Sequence, residues 1–205
     1  MLTDRQIDRV LGKLKRFETT LEPMLFEPIA SLDAQMHETE QNLDSAPVDA
    51  AYIPAKKGAV WGGEWKYCWF QTEYTVPEEY ANIPLFLKAD VGGQESMLFI
   101  DGVPSGIFTI PQNGAAHGYH YCDLITMGTA ANTHYHFDLE AYAWHYTPGS
   151  QPMVTNPMPD FLHHYNSIEV CVKNPVINQF YFDLKTFDQM TEVLDANSFV
   201  RAEII

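Results

Sequence analysis

The residues best placed for chemistry are His134, His136, Asp138 and Glu140, which alternate along HYHFDLEAYA (134–143). Side chains two apart on a strand project to the same side, so a His-x-His pair can present two imidazoles to one zinc ion. All four residues cannot share an ion, because six residues at about 3.3 Å each separate the ends by roughly 20 Å. A small zinc enzyme would therefore use His134 and His136 plus a ligand from elsewhere, such as His120 or His163. The simpler account is the polar face of an edge strand. His163 and His164 are neighbours and point apart in an extended segment, and His117 and His120 belong to a solvent-facing loop.

Aromatic residues offer a second kind of chemistry. Trp61 and Trp65 sit in AYIPAKKGAVWGGEWK (51–66) beside three glycines, and Trp144 follows the His-rich strand. Such rings either stack on pyranose faces or cover an open end of a β-sandwich. No G-x-S-x-G, P-loop, H-E-x-x-H or G-x-G-x-x-G pattern occurs. Cys68, Cys122 and Cys171 are odd in number and lack a C-x-x-C pair, which predicts buried, reduced thiols. A retaining glycosidase needs two carboxylates about 5 to 5.5 Å apart. With 27 acidic residues some pair must approach, so counting them decides nothing.

The elements that position these residues are mostly strands. Residues 69–76 alternate, with Phe70, Thr72, Tyr74 and Val76 on one face, and Pro77 ends the run. Further strands are predicted over 85–89, 96–100, 119–124, 134–143 and 167–173. Asp101-Gly102 after the strand over 96–100 forms a two-residue hairpin signal. Loops are expected at 111–118 and in the proline-punctuated stretch 148–159. Thr3 and Gln6 have capping-box spacing ahead of a helical stripe of Ile7, Val10, Leu11, Leu14, Phe17 and Leu21, which Pro23 and Pro28 end. A short helix over 29–36 and an acidic solvated linker over 38–49 follow. Asn174-Pro175 opens a second helix with the stripe Ile177, Phe180, Leu184, Phe187, Met190 and Leu194, and Ser198 caps another. The expected organisation is a helical arm and linker over 1–50, a β-sandwich over 51–173, and a C-terminal helix over 174–205.

Twelve basic against 27 acidic residues give 12 − 27 = −15, which disfavours nucleic acid and anionic membrane surfaces as partners. No apolar signal region opens the chain and no run of 18 apolar residues occurs, so a cytoplasmic location is expected, in keeping with reduced cysteines.

Trp61-Gly62-Gly63 precedes Trp69-Phe70, and a strand then closes on Ile100-Asp101-Gly102-x-Pro104. Leu139-Glu140-Ala141-Tyr142-Ala143 comes later, with His145 and Pro148-Gly149 beyond it. In this order the motifs resemble the galactose-binding-like jelly roll at the N-terminus of family thirty-eight α-mannosidases of the cytosolic and bacterial type. The resemblance spans roughly residues 2–194. Trp144 departs from it, standing where a smaller residue is expected. The resemblance implies a mainly β, antiparallel jelly-roll sandwich with an N-terminal helical arm and a C-terminal helix leading to a further domain. The parent enzyme would be a zinc-dependent retaining α-mannosidase. Its zinc is bound by a His-x-Asp pair, with an aspartate nucleophile, in a C-terminal α/β barrel. No segment here matches that pair, so no catalytic residue and no cofactor are assigned to this chain, and zinc is expected in the catalytic domain. Its partners would be that domain, the enzyme's carbohydrate substrate and a second copy of the enzyme. Trp61, Trp65, Trp144 and His145 are the candidates for carbohydrate or domain contact, and residues 142–152 for the surface turned toward the barrel. A stand-alone carbohydrate-binding module and a zinc enzyme built on His134 and His136 are the alternatives.

Overall fold

Alternating burial organises the middle of the chain. The computed structural model describes residues 3–109, 120–146 and 160–205, so the loops predicted over 111–118 and 148–159 lie outside the described residues, as do His117 and Tyr119. The chain divides into two units, Pro28–Cys171 and a second made of Met1–Glu27 with Val172–Ile205. Within the first, β2 (Ala34–Thr39), β3 (Ile53–Ala55), β5 (Tyr67–Thr75), β7 (Glu95–Ile100), β8 (Val103–Thr109) and β10 (His134–Tyr142) build a sheet of order β3-β2-β5-β10-β7-β8. A second sheet has the order β1-β12-β6-β9, from β1 (Phe26–Ser31), β6 (Leu85–Asp90), β9 (Cys122–Thr126) and β12 (Ser167–Lys173). A short pair joins β4 (Val60–Gly62) to β11 (Leu162–His164). This is the antiparallel β-sandwich expected from the sequence.

The core includes the face predicted for β5. Phe70, Thr72 and Tyr74 of β5 stand opposite Leu139, Phe137 and Tyr135 of β10, and Leu87 and Ala89 of β6 stand opposite Val170 and Ile168 of β12. Of these only Tyr135 keeps more than slight exposure. Consecutive strands β5 and β6 belong to different sheets, so the chain crosses the sandwich between them rather than forming a meander. The β7–β8 hairpin turns on Asp101 (φ +51°) and Gly102 (φ +77°), the left-handed pair that a two-residue hairpin requires.

Two expectations are corrected. Residues 29–36 hold no helix: β1 ends at Ser31 and β2 begins at Ala34. Ala34 and Met36 alternate inward on β2, and Pro28 is tolerated because β1 lies at the edge of its sheet. The sandwich therefore begins near Pro28 rather than at residue 51. The acidic stretch that follows is not simply solvated. Leu43 donates its amide to Glu140 at 3.3 Å, and His37 Nδ1 lies 3.3 Å from the Ala51 carbonyl. Burial, then the Asp138 charge, push the Tyr52 hydroxyl up to about 12. Residues 40–52 thus cross the outer face of the six-stranded sheet, which explains why Trp69 is fully buried although it points away from the core.

The second unit pairs α1 (Asp4–Leu21) with α2 (Pro175–Val193) and adds α3 (Phe199–Ile204). The caps are those predicted. Gln6 Oε1 accepts the Thr3 amide at 2.8 Å, Asn174 Oδ1 accepts that of Ile177 at 3.1 Å, and Ser198 Oγ accepts that of Arg201 at 3.1 Å. Leu21, Leu25 and Tyr181 form a small core with Phe26, Ile177 and Leu184 against it. The buried face of α2 is rotated from the predicted stripe. Tyr181, Asp188 and Thr191 are buried, while Phe180 and Phe187 remain about half exposed.

Glu18 Oε1 and Asp188 Oδ1 are buried in this unit and find no hydrogen-bond partner among the described residues. Burial first, and the Asp188 charge second, push the Glu18 carboxyl above its usual range. A carboxyl raised in the folded state holds a proton that the unfolded chain has released. Its stabilising contribution is complete below the unfolded value and is lost as pH rises through the folded one. Glu18→Gln should therefore stabilise the protein at neutral pH by a few tenths of a kcal/mol, kept small by solvent screening and by Lys15 and Lys185. The gain should shrink toward pH 4. Urea denaturation at pH 4 and pH 7.5 measures it, and an equal effect at both values would contradict the account.

Candidate functional site

The His-rich strand is central, not an edge: β10 lies between β5 and β7. Its polar face is a chain of His–carboxylate contacts. His134 Nδ1 lies 3.0 Å from Thr75 Oγ1, and its Nε2 lies 3.7 Å from Glu73. His136 meets Glu73 at 3.4 Å through Nδ1 and Asp138 at 3.1 Å through Nε2, while Gln71 Nε2 donates to the same Asp138 oxygen at 2.8 Å. Both His136 nitrogens are thus occupied within the sheet. Among the described residues no group of three or more His, Cys, Asp or Glu is arranged to hold a metal ion. His120 lies 3.4 Å from Asp123 and His163 Nε2 lies 2.7 Å from the Ala143 carbonyl, so neither joins the His134–His136 pair. The three cysteines are buried and unbridged, and burial pushes the Cys68 thiol well above its ordinary range, leaving it a poor nucleophile.

The tryptophans separate sharply. Trp61 on β4 is 1% exposed, its indole N–H donates to the Val91 carbonyl at 2.7 Å, and its ring meets Phe70 edge-on at 5.8 Å. It has no face left for a sugar, which corrects its place among the contact candidates. Trp65 is 56% exposed and stacks on His145, with ring centroids 3.6 Å apart and planes 15° from parallel. His145 Nδ1 is hydrogen-bonded to the Tyr142 hydroxyl, and the Tyr142 ring stacks on Tyr67 at 4.8 Å. Trp144 packs beside His145, with centroids 5.5 Å apart. Trp65, His145, Tyr142 and Tyr67 therefore form one aromatic ladder, with Trp144 at its side.

Backbone strain marks the same end of the sandwich. Trp65, Trp144 and Phe161 take φ of +66°, +88° and +53°, a region that bulky L-residues rarely enter. Hydrogen bonds hold them there. Trp65 donates its amide to the Trp144 carbonyl at 3.0 Å, Gly63 to that of Phe161 at 3.0 Å, and Tyr146 to the Glu64 carboxylate at 3.2 Å. Left-handed conformations of this kind cost on the order of 1–3 kcal/mol each and concentrate at functional sites.

Sequence alone does not single out the groove that adjoins the ladder. About 280 Å³ in volume, it is lined by Asn42, Tyr67, Glu95, Met97, Ile107, Glu140 and Tyr142 among others. Burial raises the Glu140 carboxyl, and the neighbouring Asp44 charge adds to the rise, while the Leu43 amide opposes it. Burial also raises the Tyr142 hydroxyl, with Tyr67, Glu95 and Glu64 adding to it. Period-two alternation places Glu140 and Tyr142 on one face, but what crosses that face from residues 40–52 is invisible in the local pattern.

A family model described as "Alpha-mannosidase, jelly roll domain" matches residues 28–157, beginning where the sandwich unit begins. Among solved structures, a β-glucuronidase from Faecalibacterium prausnitzii is 12% identical over 71% of this chain and 31% of its own, with a TM-score of 0.47. A β-glucuronidase from Ruminococcus gnavus, in complex with uronic deoxynojirimycin, is 9% identical over 74% of this chain and 29% of its own, with a TM-score of 0.48. The chain spans about three tenths of the length of these structures. No curated protein matches it.

Proposed function

Because the chain belongs to the α-mannosidase jelly-roll domain family, we propose that it is the non-catalytic sandwich of a zinc-dependent retaining α-mannosidase, and that its helical unit binds the catalytic domain. The observation that carries the second part is the apolar surface of α2. Val176, Phe180 and Phe187 recur at four and seven residues and so share a face, and they are 76%, 48% and 49% exposed. Phe17 of α1 extends the patch, its ring meeting Phe180 at 5.8 Å. Contiguous exposed aromatics on a small helical unit are what a neighbouring domain covers. Zinc belongs in this proposal to the catalytic domain. The His134–His136 pair does not suit it, since Glu73 and Asp138 already occupy the His136 nitrogens.

The chain and its separately expressed catalytic domain should co-migrate as a one-to-one complex in size-exclusion chromatography. Phe180→Ser combined with Phe187→Ser should abolish the complex while leaving the circular-dichroism spectrum of the chain unchanged. Alone, the chain should release no nitrophenol from 4-nitrophenyl α-mannoside with or without zinc. Zinc-dependent turnover by the chain, or a complex indifferent to the two serines, would overturn the proposal.

A further inference from the structure

The groove on the outer face of the six-stranded sheet is built from two rungs of the ladder of strands. Tyr67, Tyr142 and Glu95 pair across β5, β10 and β7 in one rung. Glu140, Met97 and Ile107 pair across β10, β7 and β8 in the next. Directly paired residues share a face, so these side chains stand together on the floor. The wall is the crossing segment. Asn42 reaches the Tyr67 hydroxyl at 3.5 Å, and the Leu43 amide grips one Glu140 oxygen at 3.3 Å, fixing the carboxylate beside the hollow.

We propose that this groove and the adjoining Tyr142–His145–Trp65 ladder bind a neutral oligosaccharide, hydroxyls to the Glu95 and Glu140 carboxylates and the apolar face of a pyranose ring on Trp65. Four features select that ligand. Two carboxylates and two tyrosines line the groove and, among the described residues, no lysine or arginine does, so an anionic ligand would meet uncompensated like charge. A half-buried carboxylate, already disfavoured by desolvation, gains most from ligand hydroxyls that return the lost hydrogen bonds. The volume of about 280 Å³ is at the small end for ligand sites, suiting one sugar ring with the next running onto the platform. Finally, Trp65 has one face on His145 and is more than half exposed, held in a strained backbone by its bond to Trp144.

The proposal goes beyond the domain's docking role and does not depend on it. Titration of the ¹⁵N-labelled chain with α-mannobiose should give saturable shifts, including the Trp65 indole N–H, with a dissociation constant in the millimolar range. Glu95→Gln with Glu140→Gln should weaken binding roughly tenfold or more, because amides answer hydroxyl donors less well than carboxylates. Trp65→Ala should do the same, while His134→Ala, at the other end of β10, should leave binding unchanged. D-glucuronate should bind at least tenfold more weakly than the neutral sugar. Absence of saturable shifts up to about 50 mM sugar, undiminished affinity in the Glu95/Glu140 or Trp65 variants, or saturation by calcium in place of sugar would each overturn the site. Complex formation with the catalytic domain should be intact in all these variants, so the failure of one proposal is distinguishable from that of the other.

Discussion

Trp61→Ala should destabilise the protein by about 3–5 kcal/mol, read as a lowered urea midpoint with little change in slope. The ring is 1% exposed, edge-on to Phe70 at 5.8 Å and tilted against His163 at 5.2 Å. Its N–H satisfies the Val91 carbonyl at 2.7 Å, and truncation would leave that acceptor buried beside a cavity. The short pairing of β4 with β11 places His163 directly opposite Trp61, so the loss would also loosen the segment that carries Ala143 and the aromatic ladder. Trp65→Ala, four residues on, should cost under about 1 kcal/mol, since its ring is mostly in water and its strained backbone is relieved of nothing by truncation. A cost for Trp61→Ala near that of Trp65→Ala would mean that the indole is not the anchor described.

The contrast between those two tryptophans shows where local sequence stops being informative. Both sit in one glycine-rich segment with similar neighbours, and both read equally well as platform or cover. What buries Trp61 is distant in sequence: Val91, β11 and Phe70. Alternation did reveal the core faces of β5 and β10, because a two-residue period survives whatever packs on it. It also revealed the polar face of β10, but not that Trp69 on the same side is buried, since that depends on the crossing of residues 40–52. The helix over 29–36 failed for a related reason: Ile29, Leu32 and Met36 fit a helical spacing, yet pairing of β2 with β3 and β5 outweighs it. In α2 the predicted stripe was wide enough to admit two rotations, and contact of Tyr181 with Leu21 and Leu25 chose between them. The groove was least legible of all, because Glu95, Glu140 and Asn42 come together only through sheet register.

Gly93→Ala should cost about 2–4 kcal/mol, although it adds one methyl group to a turn. Gly93 has φ +84°, where any L-residue loses on the order of 1–2 kcal/mol. A Cβ built there would lie 2.8 Å from the Tyr142 carbonyl and 3.0 Å from the Trp61 ring. The carbonyl cannot retreat freely, because it accepts the Gln94 amide at 2.8 Å. Gly102→Ala isolates the backbone part of the cost: its φ is +77°, but nothing lies within 4 Å of the added methyl, so about 1 kcal/mol is expected. The excess of Gly93→Ala over Gly102→Ala then measures the clash with the ring and the carbonyl. Trp61→Phe shortens the ring that the methyl would strike, so in that background the cost of Gly93→Ala should fall by about 1 kcal/mol, the non-additivity expected of residues in contact. Strict additivity across the cycle would show that the methyl is resisted by the β10 backbone alone. The seating of Trp61 and the placement of Tyr142 in the groove would then be independent features of the fold.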